Sequence, residues 1–483
     1  MIQSIINSPN YKWWVFGTIA IGIFLSVMDM GSIQVALPVI ESYFETDLPT
    51  VQWVVVAYAL AICVLLLPMG RLGDLIGRKQ VYLIGFSIYV ASAALCCISP
   101  NIVLLICFRV SQGMGSAMIQ SNAMAMVISA FGDNERGKAL GSNMSVVGSG
   151  FIVGPALGGL LVSVLDWRAV FFINVPTGLI AILVSVLVLN NNKKNGQVPV
   201  SDKRFDWIGA IVSGCALLVL LMVVGNGSKI GWSSPVVFFG IVLFLASTVF
   251  FVFWELRYPA PMLELRLFKK RLVALGVSAG WLSFFGISAA RFLLPFYLQK
   301  LIGLTPGQVG LLLIPAAVCM IIFGPISGRL SDRFGWRNLT MGGMALSSSA
   351  SFVLVVTLSE NTSVVLIAAL LMVQSMGTGL FNSPNNSSIF SAVERSDFGV
   401  MSAVTQLVRN SANVTSVALA TSIVVTVMAF QGYEPSLDAV SSQVAGAFVD
   451  GLKLAFFVLG CFSVVGFVIA FVRGERTVAS LKS

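Results

Sequence analysis

Gly70-Arg-Leu-Gly-Asp-Leu-Ile-Gly-Arg-Lys79 recurs 258 residues later as Gly328-Arg-Leu-Ser-Asp-Arg-Phe-Gly-Trp-Arg337. Two further pairs keep nearly the same spacing: Glu135-Arg136 returns as Glu394-Arg395 at an offset of 259, and Gln112-Gly-Met-Gly-Ser116 as Gln374-Ser-Met-Gly-Thr378 at 262. A repeat of this length means that the chain is built from two copies of one structural unit. Around the copies it is strongly apolar. Hydrophobic residues make up 57% of the 483 positions and charged residues only 10%, against about a quarter charged in a soluble protein. That composition excludes a soluble enzyme, a nucleic-acid binder and a disordered scaffold, in spite of a net charge of +9.

Fourteen long apolar runs can be marked: 13–40, 51–70, 81–99, 102–124, 139–165, 169–189, 207–226, 234–254, 273–299, 306–327, 339–358, 363–384, 399–429 and 453–472. Each is near the about 20 residues that a helix needs to cross a bilayer and too long for a barrel strand. The fold class is therefore an all-α integral membrane protein. The constant offsets divide it into an N-terminal six-helix bundle at 1–190, linkers and an inserted helix pair (about 207–254) at 191–272, and a C-terminal six-helix bundle at 273–483. Two halves in the same orientation are a transporter architecture, with the substrate site expected between them near the bilayer midplane. The N-terminus does not read as a cleavable signal, because its apolar stretch is too long.

Placing the N-terminus inside puts 22 Lys and Arg on the cytoplasmic side, among them Arg71, Lys193, Lys194, Lys270 and Arg333, and four outside: Arg168, Lys229, Lys300 and Lys453. The positive-inside rule then sets both termini in the cytoplasm. The outer loops are mildly acidic, with Glu41, Glu45, Asp47, Glu434 and Asp438. The seven cysteines lie in apolar runs without metal-ligand spacing and read as small buried side chains. There is no histidine, so proton chemistry falls to carboxylates.

At four places the sequence resembles the major facilitator superfamily, and within it the fourteen-helix drug:proton antiporter family. The loop Gly70–Lys79 looks like the helix 2–3 signature, and Arg109-Val-Ser-Gln-Gly-Met-Gly like that of helix 4. Gly150-Phe-Ile-Val-Gly154-Pro155-Ala-Leu-Gly158-Gly159 matches the helix 5 antiporter signature. Trp167-Arg168 with Ile173-Asn174-Val175-Pro176 resembles the stretch entering helix 6. Helix 1 departs from the pattern: Met28-Asp29-Met-Gly31-Ser-Ile-Gln34-Val-Ala-Leu-Pro38 keeps the Asp but has Gly and Gln where Thr and Asn are usual. That leaves the proton role intact and puts the usual substrate preference in doubt.

Four ionisable residues fall within spans: Asp29, Arg109, Arg291 and Arg409. Each costs roughly 3 kcal/mol at a helix centre, which marks it as functional by default. Asp29 is the one acid among them and the candidate proton carrier, against the alternative of a structural ion pair with a neighbouring arginine. Its repeat counterpart is Gly286, and that of Arg109 is Leu371, so neither is mirrored. The resemblance implicates Arg109 in proton coupling; a structural role on helix 1 carbonyls stays open. Arg291 pairs with Gln34 across the repeat and either faces the cavity or snorkels outward near Tyr297 and Lys300.

Candidate substrate-lining positions in the first half are Gln34, Trp53, Tyr58, Gln112, Gln120 and Asn143. Those in the second half are Phe284, Arg291, Phe292, Asn382, Asn386 and Gln406. Gln120 and Asn382 are repeat partners. Gly150, Gly154, Pro155 and Gly158 read from the residues as close helix packing; the resemblance implies that they disfavour a leaky intermediate. Asp74, Arg78 and Asp332 are expected to form a gating charge network at cytoplasmic helix ends, with Arg136 or Arg395 as partners.

The expected function is proton-coupled export of amphipathic small molecules, of the multidrug-efflux type, across the cytoplasmic membrane of a prokaryote. The alternative is an exporter or flippase of lipids, anionic amphiphiles or organic acids. An integral membrane enzyme or a channel fits less well, since no His, Cys or carboxylate cluster appears and a channel would not need one unmirrored acid. The expected partners are an amphipathic substrate and the lipid bilayer, with no nucleic acid. H+ is the coupling ion, no other cofactor or metal is expected, and the chain is expected to work as a monomer.

Overall fold

The computed structural model describes residues 10–46, 48–131, 135–189, 204–232, 234–433 and 444–473. The connections 190–203 and 434–443, with Lys193, Lys194, Glu434 and Asp438, lie outside the described residues, as does Asp47. Fourteen helices are long and apolar enough to cross a membrane, the number expected from the apolar runs. The first six are α1 Tyr11–Tyr43, α2 Leu48–Ile76, α3 Arg78–Cys97, α4 Ile102–Ala130, α5 Arg136–Val164 and α6 Arg168–Val188. The inserted pair is α7 Trp207–Ile230 and α8 Pro235–Arg257. The last six are α9 Arg271–Phe296, α10 Pro306–Phe334, α11 Arg337–Thr357, α12 Val364–Ser391, α13 Phe398–Phe430 and α14 Ala445–Val472. No strand occurs among the described residues.

Local chemistry sets the helix ends. Asn101 caps α4, its side chain accepting from Leu104 N at 2.9 Å. Thr305 and Gln308 form a reciprocal capping box at the start of α10. The repeated loop turns on a glycine both times: Gly77 (φ 111°) between α2 and α3, and Gly335 (φ 84°) between α10 and α11. Only glycine adopts that left-handed backbone without strain. The repeat therefore conserves a backbone turn as well as charge. It also conserves a helix crossing. A Cβ on Gly85 of α3 would stand 2.9 Å from Gly115 O of α4, and a Cβ on Gly343 of α11 would stand 2.5 Å from Gly377 O of α12. Small residues let the backbones touch at both crossings.

The chain divides into two compact units, Met1–Leu218 with Ser247–Arg266 and Val393–Leu407, and Val219–Ala246 with Leu267–Ala392 and Val408–Ser483. The inserted pair is thus shared between them, and α13 begins in the first and continues in the second. In the first unit Ile33, Ile40, Val54, Leu105, Trp167 and Phe171 build a buried apolar cluster at the end opposite the Gly70–Lys79 loop. In the second, Phe285, Leu294, Tyr297, Leu371, Phe448 and Phe456 belong to the corresponding cluster.

One expectation is corrected. Cys63 and Cys96 are buried, but Cys107, Cys215 and Cys461 are exposed on helix surfaces. Outward faces of spanning helices are as apolar as inward ones, so an apolar run does not tell a buried cysteine from a lipid-facing one.

Candidate functional site

Asp29 on α1 and Arg109 on α4 are both fully buried and form an ion pair, Arg109 Nη1 to Asp29 Oδ2, at 2.7 Å. The carboxylate has two more donors on its other oxygen: Asn174 Nδ2 from α6 at 2.8 Å and Gln112 Nε2 from α4 at 3.4 Å. The guanidinium is held equally firmly. Its Nε donates to Val54 O of α2 at 2.9 Å and its Nη1 to Gln112 Oε1 at 2.7 Å, while the Tyr58 ring lies 4.1 Å from the guanidinium carbon. Charge-assisted bonds of this kind are the strong ones, and the plane of the guanidinium is used as both a hydrogen-bonding edge and a stacking face.

Asn174 was not among the residues singled out for the site. Pro176 lacks the N–H that Phe172 O would accept, so α6 breaks into Arg168–Phe172 and Asn174–Val188. Asn174 opens the second piece, also donating to Val170 O at 3.2 Å. The available signal was a lone amide within an apolar run.

Tyr58, expected to face substrate, is 1% exposed and belongs to this network. Its hydroxyl donates to Ser116 Oγ at 2.9 Å, and Ser116 donates to Ser26 Oγ at 3.1 Å. Gln120 Nε2 reaches the same Ser116 oxygen at 2.9 Å, and Gln406 Nε2 lies 3.5 Å from Gln120 Oε1. A continuous polar path thus runs from Arg109 through Tyr58 and Ser116 to the Gln120–Gln406 amide pair. Gln112, also expected to line the substrate site, sits on the ion pair instead.

The helix 5 glycines press against α1 on either side of Asp29. A Cβ on Gly150 would stand 2.9 Å from Val27 Cβ, on Gly154 2.7 Å from Met28 O, and on Gly158 2.6 Å from Ser32 Cα. The Ser32 hydroxyl lies 2.9 Å from Met28 O and 2.8 Å from Gly154 O, tying the two helices. Gly31 takes the Pro155 ring, whose Cδ would be 2.9 Å from an added Cβ. The glycine at position 31 therefore has a packing reason.

At the opposite end of α2, Asp74 pairs with Arg78 at 2.9 Å and accepts from Val400 N at 3.1 Å in the first turn of α13. A carboxylate there faces the positive end of the helix dipole. Arg78 also donates to Ser129 Oγ at 3.2 Å and to Arg395 O at 3.1 Å. Arg395 therefore takes part through its backbone, whereas Arg136 lies over the Phe398 ring at 5.5 Å. Asp74 is aimed at a helix terminus, and Arg78, expected in the same network, closes the pair.

The remaining expected residues are less concentrated. Asn143 and Asn386 are buried, and Asn382 is buried with its amide turned back to Thr378 O at 3.0 Å. Trp53, Phe284 and Asp332 are half-buried, and Gln34 and Phe292 are exposed. Arg291 donates to Met320 Sδ of α10 at 3.0 Å.

A family model described as Major Facilitator Superfamily matches residues 19–417 and again 277–483. The chain belongs to that superfamily. It is a multi-pass membrane transporter. Among curated proteins it is similar to the riboflavin transporter RibZ of Clostridioides difficile (strain 630), 32% identical over 403 residues, 83% of this chain and 85% of RibZ. It is also similar to the multidrug resistance protein Stp of Mycobacterium tuberculosis (strain ATCC 25618 / H37Rv), 29% identical over 385 residues, 80% of this chain and 70% of Stp. Two solved structures share the fold at 14% identity. The human organic anion transporter MFSD10 has a TM-score of 0.66, covering 96% of this chain and 100% of that one. The proton:xylose symporter XylE has a TM-score of 0.63, with 96% of each covered.

Proposed function

We propose that this superfamily member is a proton-coupled antiporter that exports amphipathic small molecules, with both termini in the cytoplasm and H+ as its coupling ion. The observation that carries the reading is the fully buried Asp29–Arg109 pair with Asn174 and Gln112 on the same carboxylate. Every one of those donors is aimed at a carboxylate oxygen. A proton on Asp29 removes the charge that organises them and so releases Arg109 from α1. Because α1 is locked to α5 at the same level, the change in charge falls on a seam where helices have no room to slip independently.

The Tyr58–Ser116–Gln120 path gives a route by which occupancy near the amide pair and protonation of Asp29 influence each other. In the forward cycle Asp29 takes a proton from outside and delivers it inward while substrate leaves. The Asp74–Val400 contact acts as the gate, held in one access state and broken in the other. The names of several relatives support the efflux direction, including the multidrug transporter protein MdtP of Bacillus subtilis (strain 168) and the tetracenomycin C resistance and export protein of Streptomyces glaucescens.

A second reading has its own support. Asp29 is one acid against Arg109, Arg291 and Arg409 in the spans, a balance that also suits anionic amphiphiles, organic acids or lipids. The similarity to a riboflavin transporter adds a flavin to the substrates worth testing.

The test is substrate-dependent proton release from purified protein in detergent, comparing wild type with Asp29→Asn and using lipophilic cations, a flavin and anionic amphiphiles. Release by wild type and none by the variant is expected. Normal release by Asp29→Asn refutes the coupling assignment, and transport in proteoliposomes that ignores an imposed pH gradient refutes antiport.

A further inference from the structure

The inserted pair α7–α8 brings together two carboxylates that the coupling reading does not use. Asp206, just before α7, is 1% exposed, and Glu255, in the last turn of α8, is 4% exposed. Each commits one oxygen to neighbouring structure. Asp206 Oδ1 accepts from Gly209 N at 2.8 Å, as a helix cap, and from the Trp254 indole at 3.0 Å. Glu255 Oε2 accepts from Leu263 N at 3.2 Å. The other oxygens, Asp206 Oδ2 and Glu255 Oε1, are buried and have no hydrogen-bond partner. Both border the empty side-chain space of Gly209. A Cβ built on Gly209 would stand 2.3 Å from Oδ2 and 2.8 Å from Oε1, so the two oxygens lie no farther apart than the sum of those lengths.

A cap and a loop anchor would each need only one oxygen, and neither role explains why the second oxygens meet. Two anionic carboxylates this close and this dry repel one another, and two buried acceptors are left unsatisfied. One proton on the pair removes the repulsion. Among the charged groups facing the pair, Arg71 from α2 lies within Coulombic reach of Glu255 and also of Asp74, and its buried Nε has no partner. Arg257 on α8 turns instead to the Phe253 ring, 3.8 Å from its centroid.

We propose that Asp206 and Glu255 form a second proton-binding site, taking up one proton at the base of the inserted pair. Loss of that proton adds a negative charge within reach of Arg71, and the inserted helices thereby report proton activity to the Gly70–Lys79 loop.

The experiment is a pH titration of the purified full chain followed by difference infrared spectroscopy of protonated carboxyl groups, done in the Asp29→Asn background so that it is independent of the coupling reading. Expected is one protonated carboxyl that disappears as pH rises, abolished by Glu255→Gln and displaced in midpoint by Asp206→Asn. Trp254 fluorescence should change over the same pH range, because its indole donates to Asp206. Both substitutions are isosteric, and a correctly folded form of either one suffices. The proposal is overturned if the band survives Glu255→Gln unchanged, if no such band exists, or if Na+ or Mg2+ at fixed pH removes it, which would make the shared ligand a metal cation.

Discussion

Gly158→Ala and Gly154→Ala test the seam between α5 and α1, with Gly159→Ala as a control one residue away. All three exchanges gain the same small helix-propensity advantage, about 0.5–1 kcal/mol, so differences among them report packing alone. At Gly158 the new methyl would stand 2.6 Å from Ser32 Cα and 2.7 Å from Ser32 O, and at Gly154 2.7 Å from Met28 O; at Gly159 its nearest neighbour is Val35 Cγ1 at 3.8 Å. Carbon contacts settle at about 3.5–4.0 Å, so α1 must retreat by about 1 Å at the first two positions and not at the third. Overpacking of this kind costs about 1–3 kcal/mol. The retreating stretch carries Asp29, whose 2.7 Å bond to Arg109 would then exceed the about 3.2 Å limit of a good hydrogen bond. Unfolding free energies in mixed detergent and uphill transport in proteoliposomes are the two measurements. Gly159→Ala should match or exceed wild type in both, and the other two should fall below it by the stated margin and pump poorly. If all three lie within about 0.5 kcal/mol of one another and pump alike, the seam does not position the acid and the reasoning fails.

Asn174→Val removes a 2.8 Å donor from a buried carboxylate, a bond worth about 1.5–3 kcal/mol. Its loss should lower the unfolding free energy by about that amount and slow uphill transport in proteoliposomes; a variant that matches wild type in both refutes the assignment. Asp74→Asn keeps the size of the side chain but removes the charge facing the first turn of α13, a contribution of up to about 2 kcal/mol. It should speed alkylation of a cysteine introduced by Ser396→Cys by up to roughly thirtyfold if that contact holds the gate. Hydrogen bonding from Lys12, with Lys138 nearby, holds the Glu135 carboxyl below the usual carboxylate range. A lowered folded-state value means stability present above the ordinary value of about 4.3 and lost as pH falls through the folded one. The pair is about one-third exposed, so the stability gap between wild type and Glu135→Gln should be only about 0.2–1 kcal/mol, constant near neutral pH and vanishing in acid.

The helices and the twofold repeat were legible because run length and recurrence at nearly constant offsets survive without any tertiary information. Asp29 and Arg109 were legible for a related reason, since charge inside an apolar run is costly enough to need a purpose. What joins them was not. Asn174, Ser26 and Ser116 are neutral and common, and only the break at Pro176 and the crossing of α1 with α4 bring them to the ion pair. Tyr58 was assigned to the substrate because aromatic residues at cavity-facing spacing look alike until a guanidinium is found against the ring. Asp206 and Glu255 escaped notice because they stand at helix ends, where acids are ordinarily solvated, and their burial depends on Gly209 leaving its side-chain space empty.

The second half shows what becomes of the site when the acid is absent. Gly286 is the counterpart of Asp29, and Gln374, the counterpart of Gln112, donates to Gly286 O at 3.3 Å. The amide has thus kept its address after the carboxylate disappeared, turning to the backbone for an acceptor. Leu371 replaces Arg109 and is buried in the apolar cluster of that unit. Restoring the acid would displace the Ser463 hydroxyl, which would stand 2.5 Å from a Cβ on Gly286. The repeat therefore conserves the helix crossings and one hydrogen bond but places the Asp29 carboxylate in the first half alone. A proton binding at position 29 consequently changes the internal charge of one half alone, which is the asymmetry an alternating cycle needs if protonation is to favour one access state over the other. Two matched acids would respond together and leave no such preference. Gly286→Asp, with Leu371 where the first half has Arg109, should accordingly destabilise the second unit by the about 1–3 kcal/mol of a buried polar group left without its partner, and a stable variant that released a second proton with substrate would refute this account of the asymmetry.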